Sequence, residues 1–278
     1  MLQEASVRDY KFTTQQFNLV RERLYSSAGI ALADHKQDMV YNRLIRRLRC
    51  LNLNSFEAYF EYLQDNESEQ TFFINALTTN LTSFFREKHH FDFIRDQIVP
   101  ERLHGHDRKL RFWSAGCSMG EEAYSLAMTL CNAGISPASW DLKILATDID
   151  SAVLQTARQG IYDLNRSNIS RSDLQKWFLK GRGKQEGLIR IKSTLQELIS
   201  FRQLNLMDEW PIKSSFDAIF CRNVMIYFDA PTQKILLDRM AKMLKPGGYL
   251  FVGHSEALVR QQQMFELIGR TIYRKVGS

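Results

Sequence analysis

The segment 110–128, LRFWSAGCSMGEEAYSLAM, constrains the fold of this chain more than any other stretch. An apolar run at its start predicts a buried strand, small residues follow, and apolar residues then recur at helical spacing. A strand, a small-residue turn and a helix in direct succession are typical of the first unit of a nucleotide-binding α/β sheet. Gly116 and Gly120 would let a ligand lie against the backbone of the turn.

Two glutamates after this turn restrict the kind of ligand. Glu121 and Glu122 stand where dinucleotide-binding folds place the third glycine of G-x-G-x-x-G, and carboxylates in a first helical turn repel phosphate. We therefore expect a ligand that lacks phosphate and carries positive charge, and S-adenosylmethionine meets this description. The alternative is an ordinary α/β turn with two surface glutamates, because glycine-rich turns between strand and helix are common.

Polar residues after the later predicted strands extend the candidate site. Asp148 comes first after the second strand, where such folds bind ribose hydroxyls, and Asp150 is interpreted as a helix cap. Asn205 follows the next strand of the main sheet, at a position suited to contact adenine. Arg222 and Asn223 follow the strand 216–221, which its pattern predicts to be central and fully buried, so we expect them to face the same crevice.

The segment LTTNLTSFFRE contributes hydroxyl, amide and guanidinium groups. Asn80, Thr82 and Arg86 could together hold a ligand that bears a carboxylate, although helix capping and loop chemistry also explain this composition. His89 and His90 follow the segment. We expect no metal site there, because adjacent histidines point apart on a helix and no acidic or thiol partner has the spacing of a metal ligand.

Composition limits the class of protein. Hydrophobic residues make up 44% of the chain, as in ordinary globular proteins, and no apolar run approaches the roughly 20 residues of a membrane span. The N-terminal sequence has no apolar secretion signal, and the four cysteines form no C-x-x-C pair. We therefore expect a cytoplasmic protein with reduced thiols and no membrane insertion. The net charge of +6 is compatible with nucleic acid or an acidic protein surface as partner.

The periodicity of the sequence predicts two domains. Helical spacing dominates residues 12–73, so we expect an N-terminal helical domain (1–76) and a second domain (77–278) that contains the α/β sheet. Residues 162–198 interrupt the alternation of strands and helices with several glycines and one alternating apolar run. This pattern predicts an inserted subdomain with a small antiparallel sheet.

One predicted helix of the N-terminal domain has a basic face. Its apolar residues lie on one side, whereas Lys36, Arg43, Arg46 and Arg47 lie on the opposite side and project away from the docked face. A solvated surface explains most faces of this kind. No glutamates are interspersed among these four residues, so a partner-binding surface is a second interpretation.

Six motifs distributed over nearly the whole chain support a family resemblance: LADHKQDMVYNRLIRRLR, ALTTNLTSFFREKHHF, WSAGCSMGEEAYS, ATDID, FDAIFCRNVMIYF and LKPGGYLFVGHSE. With them the chain resembles the CheR-type chemotaxis receptor glutamate methyltransferases, and FFRE together with CRNVMIYF is highly specific. The resemblance implies a Rossmann-like class I S-adenosylmethionine-dependent methyltransferase domain, an N-terminal all-helical domain and an inserted small antiparallel β-subdomain. Ala123 stands where the family often has proline, which affects only the entry into the helix.

The resemblance also implies an activity and its site residues. The expected reaction transfers a methyl group from S-adenosylmethionine to the γ-carboxylate of glutamates on the cytoplasmic helices of chemotaxis receptors, and its product is S-adenosylhomocysteine. Arg86 and Tyr227 are implied to lie beside the transferred methyl group. The residues implied to line the cofactor site are Asn80, Thr82, Arg86, Glu122, Asp148, Asn205, Leu206, Arg222 and Asn223. The basic helix is implied to face the receptor, and the inserted sheet to bind a short C-terminal receptor peptide.

Two other functions remain open at this stage. A nucleic-acid methyltransferase would agree with the basic charge, but such enzymes often carry [DN]-P-P-[YFW] after the fourth strand, where this chain has RNVM. A non-catalytic module that senses S-adenosylmethionine and binds partners is disfavoured by the presence of Arg86 and Tyr227. We expect no nucleic-acid partner and a monomeric protein.

Overall fold

The computed structural model describes residues 10–256 and 264–277. The first nine residues of the predicted helical domain therefore lie outside the described part. The chain divides into two compact units, Met1–Thr79 and Asn80–Ser278. Among the described residues, no helix combines the length and the apolar character needed to cross a bilayer.

The described residues of the first unit form four α-helices: α1 (Thr14–Ala28), α2 (Gln37–Cys50), α3 (Phe56–Asp65) and α4 (Glu67–Leu77). The side chain of Thr13 caps α1, that of Ser55 caps α3, and α1 ends at Gly29 with a φ of 70°. Asn66 alone separates α3 from α4. The predicted apolar face of α2 is buried in the core of this unit.

The second unit is an α/β structure, in which the residues that the structure describes form ten strands. Its helices are α5 (His89–Phe93), α6 (Val99–His104), α7 (Glu121–Asn132), α8 (Ser151–Gln159), α9 (Arg171–Trp177), α10 (Ser193–Gln196) and α11 (Ala230–Met243). Its strands are β1 (Lys109–Ala115), β2 (Asp141–Asp148), β3 (Ile161–Asp163), β4 (Phe178–Lys180), β5 (Leu188–Ile191), β6 (Ile199–Gln203), β7 (Phe216–Cys221), β8 (Leu244–Val252), β9 (Phe265–Gly269) and β10 (Ile272–Lys275).

Seven of these strands form the main sheet in the order β6-β2-β1-β7-β8-β10-β9. The five strands from β6 to β8 are parallel, and β10 runs antiparallel to both β8 and β9, with which it forms a terminal hairpin. Every residue of β7 is buried, as expected for a central strand. Strand order reverses direction between β1 and β7, and ligands of open α/β sheets bind at the carboxyl ends of strands at such a point.

A small antiparallel sheet, β3-β5-β4, lies between α8 and the return of the chain to the main sheet at β6. This confirms the sheet predicted for the insertion. The T-shaped contacts of Phe84 with Tyr162 and with Phe178 fix this sheet to the segment that precedes α5.

A buried carboxylate anchors the end of the main sheet that is opposite to the crevice. Asp217, near the start of β7, is only 1% exposed. It accepts the backbone N–H of Arg111 at 2.8 Å, and it pairs with Arg102 at 2.7 Å and Lys245 at 2.9 Å. Three segments that are distant in sequence are therefore joined by one side chain.

Candidate active site

The turn after β1 is shaped by packing within the protein. Gly116 and Gly120 have φ values of 82° and 93°. A Cβ atom on Gly116 would lie 2.3 Å from a methyl group of Val224, and one on Gly120 would lie 2.9 Å from Cβ of Ala157. The glycines therefore let α8 and the segment after β7 approach the turn. The sequence-based interpretation, in which they clear space for a ligand, missed these two protein contacts.

Asp148 holds this turn in place from the end of β2. Its carboxylate accepts the N–H of Ser118 at 2.8 Å and the N–H of Asp150 at 2.9 Å. The side chain is buried, and this burial raises the pKa of Asp148 to about 6 although both N–H donors favour the charged form. Asp148 therefore lies at the carboxyl end of β2, beside the turn, as predicted; contact with a ribose remains a prediction.

Asn80 joins this group through the neighbouring acid. Its side-chain amide donates to Asp150 at 2.7 Å, and its backbone carbonyl accepts from the hydroxyl of Ser118 at 3.2 Å. Asp150 also accepts the N–H groups of Ala152 and Val153, which confirms the prediction that it caps α8. The segment around Asn80 is thereby bound to the turn after β1.

Arg222 lies at the centre of a buried ionic network. Its guanidinium contacts Glu122 at 3.0 Å and Glu87 at 3.4 Å, and it also donates to the backbone carbonyl of Arg86. Glu122 accepts a further hydrogen bond, at 2.6 Å, from the hydroxyl of Ser114. Burial raises the pKa of Glu122, whereas Arg222 opposes this shift. Arg222 and Glu122 thus bind each other and fix the FFRE segment beside the ends of β1 and β7.

Arg86 and Tyr227, which the resemblance implies to lie beside the methyl group, belong to two separate segments of the chain. Arg86 precedes α5, and Tyr227 follows β7. The guanidinium of Arg86 donates to the carbonyl of Leu81 at 2.8 Å, and Thr82 is half-buried in the same segment. Tyr227 is half-buried and ends a short 3₁₀ helix that begins at Met225. Arg222 links the two segments, because it bonds to the carbonyl of Arg86 and precedes this helix in the chain.

The loop after β6 carries Asn205 and Leu206. The side chain of Asn205 accepts the N–H of Met207 at 3.1 Å and donates to Asp208 at 3.1 Å, so it shapes its own loop. Leu206 is buried. The loop starts next to Asp148, whose carbonyl accepts the N–H of Leu204 at 3.0 Å.

Arg239 of α11 forms hydrogen bonds with the same loop. Its guanidinium donates to the carbonyl of Leu206 at 2.7 Å and to that of Asp208, and it stacks on Trp210 at 4.0 Å. Trp210 in turn donates to the carbonyl of Leu206 at 3.2 Å and packs edge-on against the buried Trp113. The sequence analysis did not identify Arg239, and no local pattern marks it.

Glu256 is a second residue that the sequence analysis did not single out, although it ends the motif LKPGGYLFVGHSE. Its buried carboxylate accepts the N–H groups of Asn223 at 2.7 Å, Gly253 at 2.6 Å and Ile226 at 3.2 Å. Asn223 has a φ of 58°. A backbone conformation of this kind persists only where surrounding contacts enforce it, and Glu256 supplies them.

The basic face of α2 differs from its prediction. Lys36 and Arg46 are exposed, but Arg43 and Arg47 are half-buried. Arg43 donates to the carbonyl groups of Leu77 and Thr78, and Arg47 forms a bidentate pair with Glu69. The expectation that Arg43 and Arg47 project freely is therefore wrong, because the end of α4 and its buried Glu69 pack against this side of α2.

The charges at the crevice fit a cationic ligand without phosphate. Glu121 and Glu122 occupy the first turn of α7, and Asp148 lies beside the preceding turn. One carboxylate oxygen of Glu121 is buried and has no hydrogen-bond partner among the described residues. Three carboxyl groups around the start of α7 disfavour a phosphate and favour the sulfonium and ammonium groups of S-adenosylmethionine.

Comparison with known proteins agrees with this chemistry. Residues 15–78 match the model of the CheR methyltransferase all-alpha domain, and residues 80–274 match that of the CheR methyltransferase SAM binding domain. Chemotaxis protein methyltransferase 2 of Pseudomonas aeruginosa is 48% identical over 268 residues, which cover 96% of this chain and 95% of that protein.

Two enterobacterial relatives are similarly close. Chemotaxis protein methyltransferase of Salmonella typhimurium is 48% identical over 262 residues, and that of Escherichia coli is 47% identical over 262 residues; the matches cover 92% of this chain and 88% and 89% of those proteins. The predicted methyltransferase activity, its S-adenosylmethionine cofactor and the class I fold with an all-helical N-terminal region are thereby confirmed. The chain belongs to the CheR methyltransferase family.

Proposed function

We propose that this chain methylates the γ-carboxylate of specific glutamates on the cytoplasmic helices of chemotaxis receptors and so forms glutamyl methyl esters. The observation that carries the proposal is the match of both units, residues 15–78 and 80–274, to CheR methyltransferase domains. The proposal implies a cytoplasmic location, and we keep the expectation of a monomer.

The chemistry of a glutamate substrate agrees with the groups available in the site. A glutamate has an ordinary pKa near 4.3, so its carboxylate is already a nucleophile at neutral pH and needs no general base. S-adenosylmethionine, when bound, supplies the electrophilic methyl group. The protein must align the carboxylate with that group and exclude water, and alignment of this kind accounts for roughly 7–11 kcal/mol of barrier reduction in well-oriented reactions.

We assign the alignment to Arg86 and Tyr227. In this assignment the guanidinium of Arg86 pairs with a carboxylate through two hydrogen bonds, and the Tyr227 hydroxyl orients the attacking oxygen. Arg222 supports Arg86, because it donates to the backbone carbonyl of that residue and is itself fixed by Glu122 and Glu87. Asn80, Thr82, Asp148, Asn205, Leu206 and Asn223 complete the proposed cofactor site.

We further propose that the small sheet binds the C-terminal peptide of a receptor. Strand β4 lies at an edge of this sheet, and Leu179 on that strand is exposed. An extended peptide can add to such an edge by backbone hydrogen bonds, with alternate side chains against the sheet. The exposed Lys36 and Arg46 of the helical unit are assigned to the acidic receptor helices.

Incubation with labelled S-adenosylmethionine and receptor cytoplasmic fragments tests the proposal. We expect label on the fragments that is released as methanol in base, because methyl esters hydrolyse there. Fragments with glutamine in place of the methylated glutamates are the control. Label on RNA instead would support the nucleic-acid alternative, and the absence of transfer to any substrate would support the non-catalytic one.

A further inference from the structure

Three potential metal ligands gather at the start of α5. One carboxylate oxygen of Glu87 and one ring nitrogen each of His89 and His90 lie within 4.8 Å of one another. The sequence argument against a metal assumed diverging rings and no acidic partner. Both assumptions fail, because the ring centroids are only 4.1 Å apart and Glu87, with a φ of 55°, turns its carboxylate toward them.

Hydrogen bonds define which nitrogen of each ring is free to bind an ion. Nε2 of His89 is 3.1 Å from the carbonyl of Arg270, which can only accept, so this nitrogen carries the proton. Nε2 of His90 is 3.0 Å from the hydroxyl of Thr271, which donates its own hydrogen to the same carbonyl. Nε2 of His90 is therefore a donor too, and Nδ1 of both rings presents a lone pair.

Two of the candidate ligand atoms are buried without a hydrogen bond among the described residues, and one of them, Oε2 of Glu87, has an ionic contact with Arg222 at 3.4 Å. Nδ1 of His90 and Oε2 of Glu87 have no hydrogen bond among the described residues, and they face each other at 3.7 Å. His90 is fully buried. A cation between these two atoms would bind the lone pair of Nδ1 and the carboxylate oxygen at once.

We propose that Glu87, His89 and His90 form a binding site for a divalent transition-metal ion of the zinc type. Two imidazole nitrogens and a carboxylate oxygen are a ligand set suited to Zn²⁺, and three protein ligands leave a position open for water. Histidines that ligate metals usually donate their second ring N–H to a carbonyl or another acceptor. The Arg270–Thr271 turn supplies both acceptors here.

The ion would compete with Arg222 for one ligand. The guanidinium of Arg222 lies 3.4 Å from Oε2 of Glu87, and a bound cation would replace this contact. Arg222 would keep its contacts with Glu122 and with the carbonyl of Arg86. Occupation of the metal site is therefore coupled to the ionic network of the crevice.

Titration of the full chain with Co²⁺, followed by displacement with Zn²⁺, tests the proposal without reference to methyl transfer. Co²⁺ bound by nitrogen and oxygen ligands absorbs visible light, so we expect absorption that saturates at one ion per chain and disappears on addition of Zn²⁺. His89→Asn should raise the Kd for Co²⁺ at least about tenfold. His106→Asn is the matched control, because His106 is an exposed histidine of the same unit.

Binding must also depend on the carboxylate. Glu87→Gln keeps the shape of the side chain and removes its charge, so we expect it to weaken Co²⁺ binding at least about tenfold. Circular dichroism establishes that each variant is folded. The proposal is overturned if the wild-type chain gives no saturable absorption, if folded His89→Asn or Glu87→Gln binds Co²⁺ like the wild type, or if His106→Asn weakens binding as much as they do.

Discussion

Asp148 accepts the backbone N–H of Ser118 at 2.8 Å, so the carboxyl end of β2 carries the turn that follows β1. The same side chain accepts the N–H of Asp150, the residue that caps α8. One carboxylate thus connects two consecutive strand-to-helix turns. Its protonation state is therefore expected to influence the candidate cofactor site.

The affinity for S-adenosylhomocysteine should fall as the pH decreases through about 6, the pKa of the buried Asp148. A protonated carboxyl is a poorer acceptor for ribose hydroxyls than a carboxylate. Folding stability has the opposite dependence: a raised folded-state pKa favours the folded chain at low pH, and this contribution is lost as the pH rises through about 6. Calorimetry between about pH 5 and pH 8 measures the affinity for S-adenosylhomocysteine. In Asp148→Asn, the fall in affinity that arises from protonation of Asp148 should be absent.

Tyr227→Phe should lower kcat by roughly 10- to 100-fold, the equivalent of one hydrogen bond to a charged group, and should leave the Kd for S-adenosylhomocysteine nearly unchanged. The reason is that its hydroxyl is assigned to the reacting carboxylate. Tyr62→Phe, in the first unit, is the control because its ring is partly exposed. Equal losses in kcat and in cofactor affinity would place Tyr227 in the cofactor pocket instead.

Replacement of Lys36 and Arg46 together by alanine should raise the KM for the receptor fragment and reduce its dependence on salt, with cofactor affinity intact. Exposed charges steer an acidic partner, and salt screens that effect. Steady-state kinetics at low and high salt measure the change. A wild-type KM at low salt would show that the receptor contacts another surface.

Arg47 does not belong in that experiment, because its loss would leave the buried carboxylate of Glu69 without its ion pair. Breaking a buried pair in this way typically costs about 3–5 kcal/mol of the free energy of unfolding. We expect urea denaturation to show a large loss for Arg47→Ala and a change within about 0.5 kcal/mol for the exposed Arg46→Ala. Similar stabilities of the two variants would contradict the structural role of Arg47.

Arg239→Lys should weaken binding of S-adenosylhomocysteine with little effect on kcat at saturating cofactor. A lysine keeps the charge but loses the planar guanidinium that bonds to two loop carbonyls and stacks on Trp210. Because this loop carries Asn205 and Leu206, its loosening should act on the adenine end of the cofactor. Calorimetry measures the affinity for S-adenosylhomocysteine, and steady-state kinetics measure kcat at saturating cofactor. General destabilisation would instead lower the cofactor affinity and kcat together.

The local pattern of the sequence predicted the elements but not the contacts between them. The segment around Gly116 predicts its strand, turn and helix from neighbouring residues alone, and the caps at Thr13, Ser55 and Asp150 follow from local chemistry. These features depend on side chains within a few positions of each other. Periodicity likewise predicted the buried face of α2.

The ionic partners could not be predicted in this way. Arg222 meets Glu122 across 100 positions of sequence, and Arg47 meets Glu69 across 22. A helical projection shows only that Arg47 is opposite to the apolar face; it does not reveal that another helix brings a buried acid to that side. Glu256 was overlooked for the same reason, because its role depends on backbone N–H groups more than 25 positions away as well as on near ones.

The anchor at Asp217 offers a means of controlling this enzyme in living cells. Arg222 at the crevice comes five positions after Asp217, which corresponds to roughly 16 Å of extended chain. Asp217→Asn would weaken the pairs with Arg102 and Lys245 without touching the groups assigned to methyl transfer. Such a variant should behave as a temperature-sensitive allele. At a low growth temperature the enzyme would stay folded and active, and a shift of the same culture to a higher temperature would unfold it.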